Sequence, residues 1–319
     1  FFKIGCLILK FEGLEEKIEA DGVGSLAGQS GFQVIGSALT RSRGIEYGEI
    51  VSMPETERAI RTALQSAQKL ANSRVDHVIA CISGGSPRSY GLEGTVDIKT
   101  GIVDDNDIAD VLGSCGIPAY GSDREVLHAQ PVNFSLDHRT GLSDPRGQIG
   151  KKLSVDMHML TVKEKTIHDL AYCLKRCDLE LAGVASASYA SALSSLVEDE
   201  KELGAACIDL GGGSTNLAIF WKKHMIFAET IKMGGELVTR DISMGLQIPL
   251  STAERIKTRN GGVVATGLDD REMIEIASET GDWELDRRII SRSDLIGIMR
   301  PRIEEILEEA RSCLINAGF

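Results

Sequence analysis

The sequence predicts an α/β fold, on three observations. Short apolar runs alternate with amphipathic stretches at helical spacing, which is the pattern of sheets covered by helices. Glycine is abundant at 34 residues, where average usage would give roughly 22, and three in a row end the apolar run Ala205–Leu210. Hydrophobic residues make up 42% and charged residues 26% of the 319, enough for a packed core and unlike a disordered chain. At about 150 residues per domain, the length suggests two domains or one deeply divided α/β unit.

Residues 1–11 read as a strand: apolar, short and without helical period. A Gly- and Ser-rich stretch from Asp21 to Gly31 follows, and Phe32 to Gly36 resumes a short strand. Ser52-Met53-Pro54-Glu55 starts a helix of about 20 residues, with Ser52 as cap and Glu55 completing a capping box. Ile60, Leu64, Ala67 and Ala71 mark its core face. Val75 to Ile82 is the next strand. From Ser83 to about Lys152, frequent glycines break the chain into short pieces, which read as an inserted small α/β module with one helix over Asp104 to Leu112.

Val155 to Val162 reads as a strand, and Thr161-x-x-Glu164 as the cap of a helix whose core face is Ile167, Leu170, Ala171 and Leu174. Ala182 to Leu196, rich in small residues, is expected as a helix. Ala205 to Leu210 is expected as a buried strand, followed by a hairpin over Leu217–Trp221 and Met225–Ile231. Gly234-Gly235 opens a helix; Ser251-x-x-Glu254 caps the next, which ends at Asn260-Gly261. The last helix, Asp294 to Leu314, is expected to be kinked or interrupted at Pro301.

The net charge of −12 argues against a nucleic-acid binder, since a phosphate backbone calls for surplus Lys and Arg. No apolar run reaches the ~18 residues of a membrane span. Seven cysteines, without CxxC spacing, read as reduced thiols of a cytoplasmic protein. Asp156-x-His158 could be half a metal site, but the alternation reads in the first place as a plain strand face. The serines 186, 188, 191, 194 and 195 lack a GxSxG frame.

The strongest chemical signal is Asp209-Leu210-Gly211-Gly212-Gly213-Ser214-Thr215. A strand delivers a carboxylate at its tip, and three glycines let backbone N–H groups approach phosphate oxygens without Cβ interference. Ser214 and Thr215 add hydroxyls, and Asp209 suits a hydrated Mg²⁺, which prefers one or two carboxylates plus phosphate. The alternative is a tight hairpin turn that is merely glycine-rich. The loop is neither a Walker loop nor a GxGxxG fingerprint.

This motif resembles the second phosphate loop of the actin, hexokinase and heat-shock-chaperone superfamily. Lys232 to Ile242 (KMGGELVTRDI), Ala253 to Lys257 (AERIK) and Ser194 to Gly204 (SSLVEDEKELG) are similar, more narrowly, to the bacterial cell-division FtsA family. That resemblance implies an actin-like, ribonuclease H-like α/β fold of two lobes with an FtsA-type inserted subdomain 1C. It divides the chain into 1A (1–82 and 155–203), 1C (83–154), 2A (204–247), 2B (248–300) and a return toward 2A (301–319). It implies ATP and Mg²⁺ in the cleft between the lobes. Asp209 would serve the metal, Gly211, Gly212, Gly213, Ser214, Thr215, Gly234 and Gly235 the phosphates, and Glu254 and Lys257 the adenosine; the two last could also be a plain helical ion pair.

By the same resemblance, a DxG phosphate strand would precede Phe1, and a glycine motif and an amphipathic membrane-targeting tail would follow Phe319. Ala187 stands where chaperone relatives carry a water-positioning glutamate, which implies weak or no ATP hydrolysis. Arginines 287, 288, 292, 300 and 302 form a basic cluster that is either a solvated face or, with Arg292 and Arg302 foremost, the seat of the FtsZ C-terminal tail. The implied role is an adaptor at the inner face of the cell membrane at the division site, which tethers FtsZ filaments, self-associates and recruits later division proteins through 1C. The competing readings are an ATP-dependent small-molecule kinase of the same superfamily and a binding module without nucleotide.

Overall fold

Alternation of apolar residues builds the first strand pair. In the computed structural model, which describes residues 3–11, 31–118, 121–266, 270–276 and 288–319, β1 (Lys3–Phe11) runs antiparallel to β2 (Phe32–Arg41). The glycine-rich stretch from Asp21 lies outside the described residues up to Gly31, and Arg287 lies outside them too. β3 (Ile45–Glu46) and β4 (Glu49–Ile50) form a minimal hairpin around Tyr47-Gly48, both at positive φ.

Helix α1 (Met53–Ala71) lies on β2 so closely that a Cβ on Gly36 would stand 2.4 Å from the Ala67 carbonyl oxygen. Ser52 makes no side-chain cap. Instead the Thr56 hydroxyl, one turn on, reaches back to the carbonyls of Ser52 and Gly44.

β5 (His77–Ile82) leads into β6 (Arg88–Asp97), α2 (Asp105–Gly113), β7 (Arg124–Leu136), β8 (Arg139–Leu142) and β9 (Lys152–Lys163). These last four strands form one antiparallel sheet in the order β6-β9-β7-β8. Asp104 and Asp107 close a capping box on α2, which packs on β6 over Gly94 and covers a core of Val111, Phe134, Leu136, Leu153 and Val155. The subdomain boundary expected at 154 falls inside β9, which stays paired with β6 and β7 as far as Thr161. Thr161 is therefore a strand residue and not a helix cap; its hydroxyl accepts from Arg124 Nε at 2.9 Å.

Helix α3 (Glu164–Lys175) follows directly, then β10 (Glu180–Ser186) and α4 (Ala187–Ser195). The single helix expected over Ala182–Leu196 is thus half strand: pairing of β10 with β5 outweighs the helix propensity of its alanines. α5 (Glu198–Leu203) precedes a three-stranded antiparallel sheet of β11 (Ala205–Leu210), β12 (Thr215–Trp221) and β13 (His224–Ile231). β11 is an edge strand of that sheet and only half covered, with Leu210 exposed, whereas central β12 is buried almost throughout.

α6 (Gly235–Leu246) and α7 (Leu250–Asn260) come next. Pro249 fixes the turn into α7, so the helix starts one residue before Ser251 and that serine does not cap it. β14 (Met273–Ile276) pairs with β15 (Arg288–Ser291), and α8 (Arg292–Asn316) opens on a Ser291–Asp294 capping box.

α8 runs unbroken through Pro301. Buried Leu295, Ile296 and Met299 before the proline, and Ile306 and Ala310 after it, anchor both halves against the same body, which outweighs one missing N–H.

The chain separates into two compact units. One contains β1, β2, α1 and most of α3, β5 and β10, around Leu64, Leu174, Cys177 and Leu179. The other contains the four-stranded sheet, the β11–β13 sheet and α4 to α8. Within it, β13 meets the four-stranded sheet: Ser89 Oγ donates to the Ala228 carbonyl, and Gln130 Nε2 to that of Met225. No helix is long and apolar enough to cross a membrane among the described residues.

Candidate functional site

Two glycine segments, 21 positions apart or more, dock onto each other. The Gly211 N–H turns back to the Ser214 carbonyl (3.0 Å), which closes the bend after β11. The first N–H groups of α6 then donate into that bend: Gly235 N–H to Gly211 O (3.0 Å) and Glu236 N–H to Gly212 O (2.8 Å). Helix starts carry N–H groups without intrahelical partners, and here two of them bind the phosphate-type turn to the helix. A Cβ on Gly234 would stand 2.6 Å from Gly212 O, so only glycine lets the two backbones approach. The buried Thr215 hydroxyl donates to Met233 O at 2.8 Å and closes the other side.

The N–H groups of Gly212, Gly213 and Ser214 make no hydrogen bond among the described residues. Three consecutive donors at a strand–turn are the raw material of an anion cradle. Beside them, half-buried Asp209 accepts a hydrogen bond from Ser191 Oγ on one carboxylate oxygen (2.9 Å), and its other oxygen has no partner among the described residues. Asn216 is its register neighbour on β12 and accepts from Thr230 on β13.

Glu254 and Lys257 come to the same place from α7. Lys257 Nζ donates to Gly235 O (2.9 Å) and Thr239 Oγ1 (2.8 Å), and pairs with Glu254 at 2.7 Å. Thr239 donates to Glu254 at 2.5 Å. Burial pushes the Glu254 carboxyl up, but hydrogen bonds to it, those from Lys257 and Thr239 foremost, and the charge of Lys257 outweigh it, and the group lies at about 2. The expected phosphate and adenosine residues therefore form one continuous chain: Asp209, the Gly211–Ser214 turn, Gly234-Gly235, Lys257 and Glu254.

This donor set fits a magnesium–phosphate ligand. No group of three or more His, Cys, Asp or Glu that could hold a metal alone occurs among the described residues. A single outward carboxylate oxygen beside free N–H donors suits Mg²⁺, which takes most of its ligands from water and phosphate. Asp156 accepts from Asn133, and buried His158 has no hydrogen-bond partner, so these two hold nothing in common.

Arg292 and Arg302 sit ten positions apart on α8, about 15 Å along its axis. Arg292 Nη1 pairs with Glu272 at 2.7 Å. Arg302 grips Asp241 of α6 with Nε (2.7 Å) and Nη2 (3.2 Å), and also pairs with Glu305. Arg292 thus ties the start of α8 to the segment ahead of β14, and Arg302 ties α8 to α6, while both stay partly exposed.

Two residues of the site escaped the sequence reading. Thr239 lies one turn after Gly235, so helical spacing from the glycine pair was a usable signal. Ser191 reaches Asp209 only through the packing of α4 on β11, for which no local signal exists.

A family model described as "Cell division protein FtsA" matches residues 206–317, and one described as "SHS2 domain inserted in FTSA" matches residues 84–161. The cell division protein FtsA of Rhizobium meliloti (strain 1021) is 34% identical over 90% of this chain and 65% of its own length. That of Pseudomonas aeruginosa is 32% identical over 93% of this chain and 70% of its own length. The chain therefore spans just under two thirds of the rhizobial relative. Among solved structures, a chain of a PilM-PilN type IV pilus biogenesis complex superposes with a TM-score of 0.58 at 14% identity, covering 89% of this chain and 70% of that one. The fold is the actin-like α/β fold with an SHS2 insertion.

Proposed function

The chain belongs to the FtsA family of cell division proteins, and from that premise we propose that it is an ATP-binding, actin-like adaptor of the division machinery. The observation that carries the nucleotide reading is the row of unspent N–H donors at Gly212, Gly213 and Ser214, with the Asp209 carboxylate on one side and the α6 N-terminus behind. Phosphate oxygens accept from these donors. Asp209 holds the hydrated Mg²⁺, whose chemistry when bound is to neutralise phosphate charge. Lys257, Glu254 and Thr239 form the wall on the adenosine side, kept rigid by their mutual hydrogen bonds.

Nucleotide acts here as a switch for self-association rather than as fuel. Ala187 opens α4 with no carboxylate to position water, so turnover is slow or absent. The wider role is to tether FtsZ filaments to the cytoplasmic membrane at the septum. In that role Arg292 and Arg302 meet the FtsZ tail, and the SHS2 insertion recruits later division proteins.

Calorimetric titration with ATP and Mg²⁺ tests the nucleotide reading. Saturable heat that Asp209→Asn weakens and EDTA removes is expected. Absence of heat in the folded wild-type chain overturns it in favour of a binding module without nucleotide. Rapid ADP release with a hydroxyl substrate would instead favour a kinase.

A further inference from the structure

A second charged site lies in the unit built on β1, β2 and α1. A groove of about 260 Å³ opens between the end of β2 and the outer face of α1, lined by Thr40, Arg41, Arg43, Glu55, Arg58 and Thr62. Three arginines face one carboxylate, in a chain whose net charge is −12. Neither Arg43 nor Arg58 forms an ion pair among the described residues; Arg58 Nε reaches only the Pro54 carbonyl, at 3.1 Å. Isolated cations of this kind are free to meet an anion from outside.

The backbone under them is fixed. Gly44, at φ +75°, accepts from the N–H groups of Val51 (2.8 Å) and Ser52 (3.0 Å). The fully buried Thr56 hydroxyl lies within hydrogen-bond distance of the carbonyls of Arg43, Gly44 and Ser52. The turn that carries Arg43 is thereby locked to the first turn of α1, which sets Arg43 and Arg58 on facing walls of one groove. The fixed backbone keeps the two side chains within reach of one ligand, and each planar guanidinium can take a carboxylate in a two-pronged grip.

We propose that this groove binds an acidic peptide segment, whose carboxylate side chains pair with Arg43 and Arg58. Its size falls below the ~300–1,000 Å³ of ordinary small-molecule pockets, so it suits a side chain or two rather than a whole nucleotide. Its open, solvent-exposed arginines suit a fast, salt-sensitive contact. Glu55 in the lining repels a compact dianion such as phosphate more than it repels single carboxylates spaced along a peptide. This site is separate from the glycine turn and does not depend on whether ATP binds there.

The test is fluorescence polarisation with a short fluorescein-labelled peptide alternating Glu and Ala, with a Lys–Ala peptide as control. Saturable binding of the acidic peptide alone is expected at low ionic strength, and it should weaken as salt rises. Arg43→Glu with Arg58→Glu should weaken it roughly tenfold or more, the milder Gln pair should weaken it less, and Lys69→Glu on the same helix should leave it unchanged. Circular dichroism checks that each variant is folded. Absence of saturable binding, equal loss in Lys69→Glu, or displacement of the peptide by inorganic phosphate at matched ionic strength would each overturn the proposal.

Discussion

Lys257 Nζ lies 2.9 Å from the carbonyl oxygen of Gly235, 22 positions earlier in the chain. This one hydrogen bond ties α7 to the start of α6, and through Gly235 N–H to the Gly211 turn. Lys257→Met removes it together with the contacts to Thr239 and Glu254. It strips the half-buried Glu254 carboxylate of its lysine while Thr239 still donates to it, so a stability loss of about 1–3 kcal/mol is expected in chemical denaturation. The pH dependence supplies a second reading of the same pair. The folded Glu254 carboxyl is held at about 2, below its ordinary 4.5, so its contribution to stability is present above about pH 4.5 and drains away as pH falls toward 2. Lys257→Met should flatten that acid limb.

Gly234 and Gly235 are adjacent but should respond differently to an added methyl. At Gly234 the Cβ would meet two carbonyl oxygens at 2.6 and 2.7 Å, while at Gly235 the nearest atom is Lys257 Nζ at 3.6 Å. Gly234→Ala is expected to cost about 1–3 kcal/mol and to weaken ATP binding. Gly235→Ala should stay within about 0.5 kcal/mol. Thermal unfolding of the two variants side by side reads the difference.

His158 is 3% exposed, and neither ring nitrogen has a hydrogen-bond partner. Burial, with the nearby His128 adding to it, lowers its titration from 6.5 to about 4. The neutral ring is the one that fits, so stability is full above about pH 6.5 and falls by roughly 3 kcal/mol as pH drops to about 4. His158→Leu should remove that slope and leave stability at neutral pH equal or higher, as measured by denaturant titrations across the range.

Pro301 sits exposed inside α8, where it costs a hydrogen bond that the flanking core contacts offset. Pro301→Ala should raise stability by about 1–3 kcal/mol. An unchanged or lower melting temperature would show that the proline geometry itself is needed to seat α8 on both of its apolar faces.

What the sequence made legible was local. The Asp209 strand tip, the three-glycine turn and the helix after Gly234 were readable because each is specified by neighbours in the chain. Reading them together as one site drew on the family resemblance, since Lys257 meets Gly235 only when α7 folds back on α6. The failures were local signals overruled by pairing and packing. Thr161 had the form of a helix cap but is held in β9, Ser52 makes no side-chain cap while the Thr56 hydroxyl donates to its carbonyl, and the alanines after Glu180 became a strand because β5 offers them a partner. The Arg43–Arg58 groove had no signal in the sequence, because its two walls come from different elements.

Amide hydrogen exchange at Gly212, Gly213 and Ser214 measures the central claim most directly, since these are the donors said to receive the phosphates. Their N–H groups should exchange readily in the free chain and become strongly protected on addition of ATP with Mg²⁺, but not with adenosine. Unchanged exchange at all three under saturating nucleotide would contradict the account, whatever else in the chain responded.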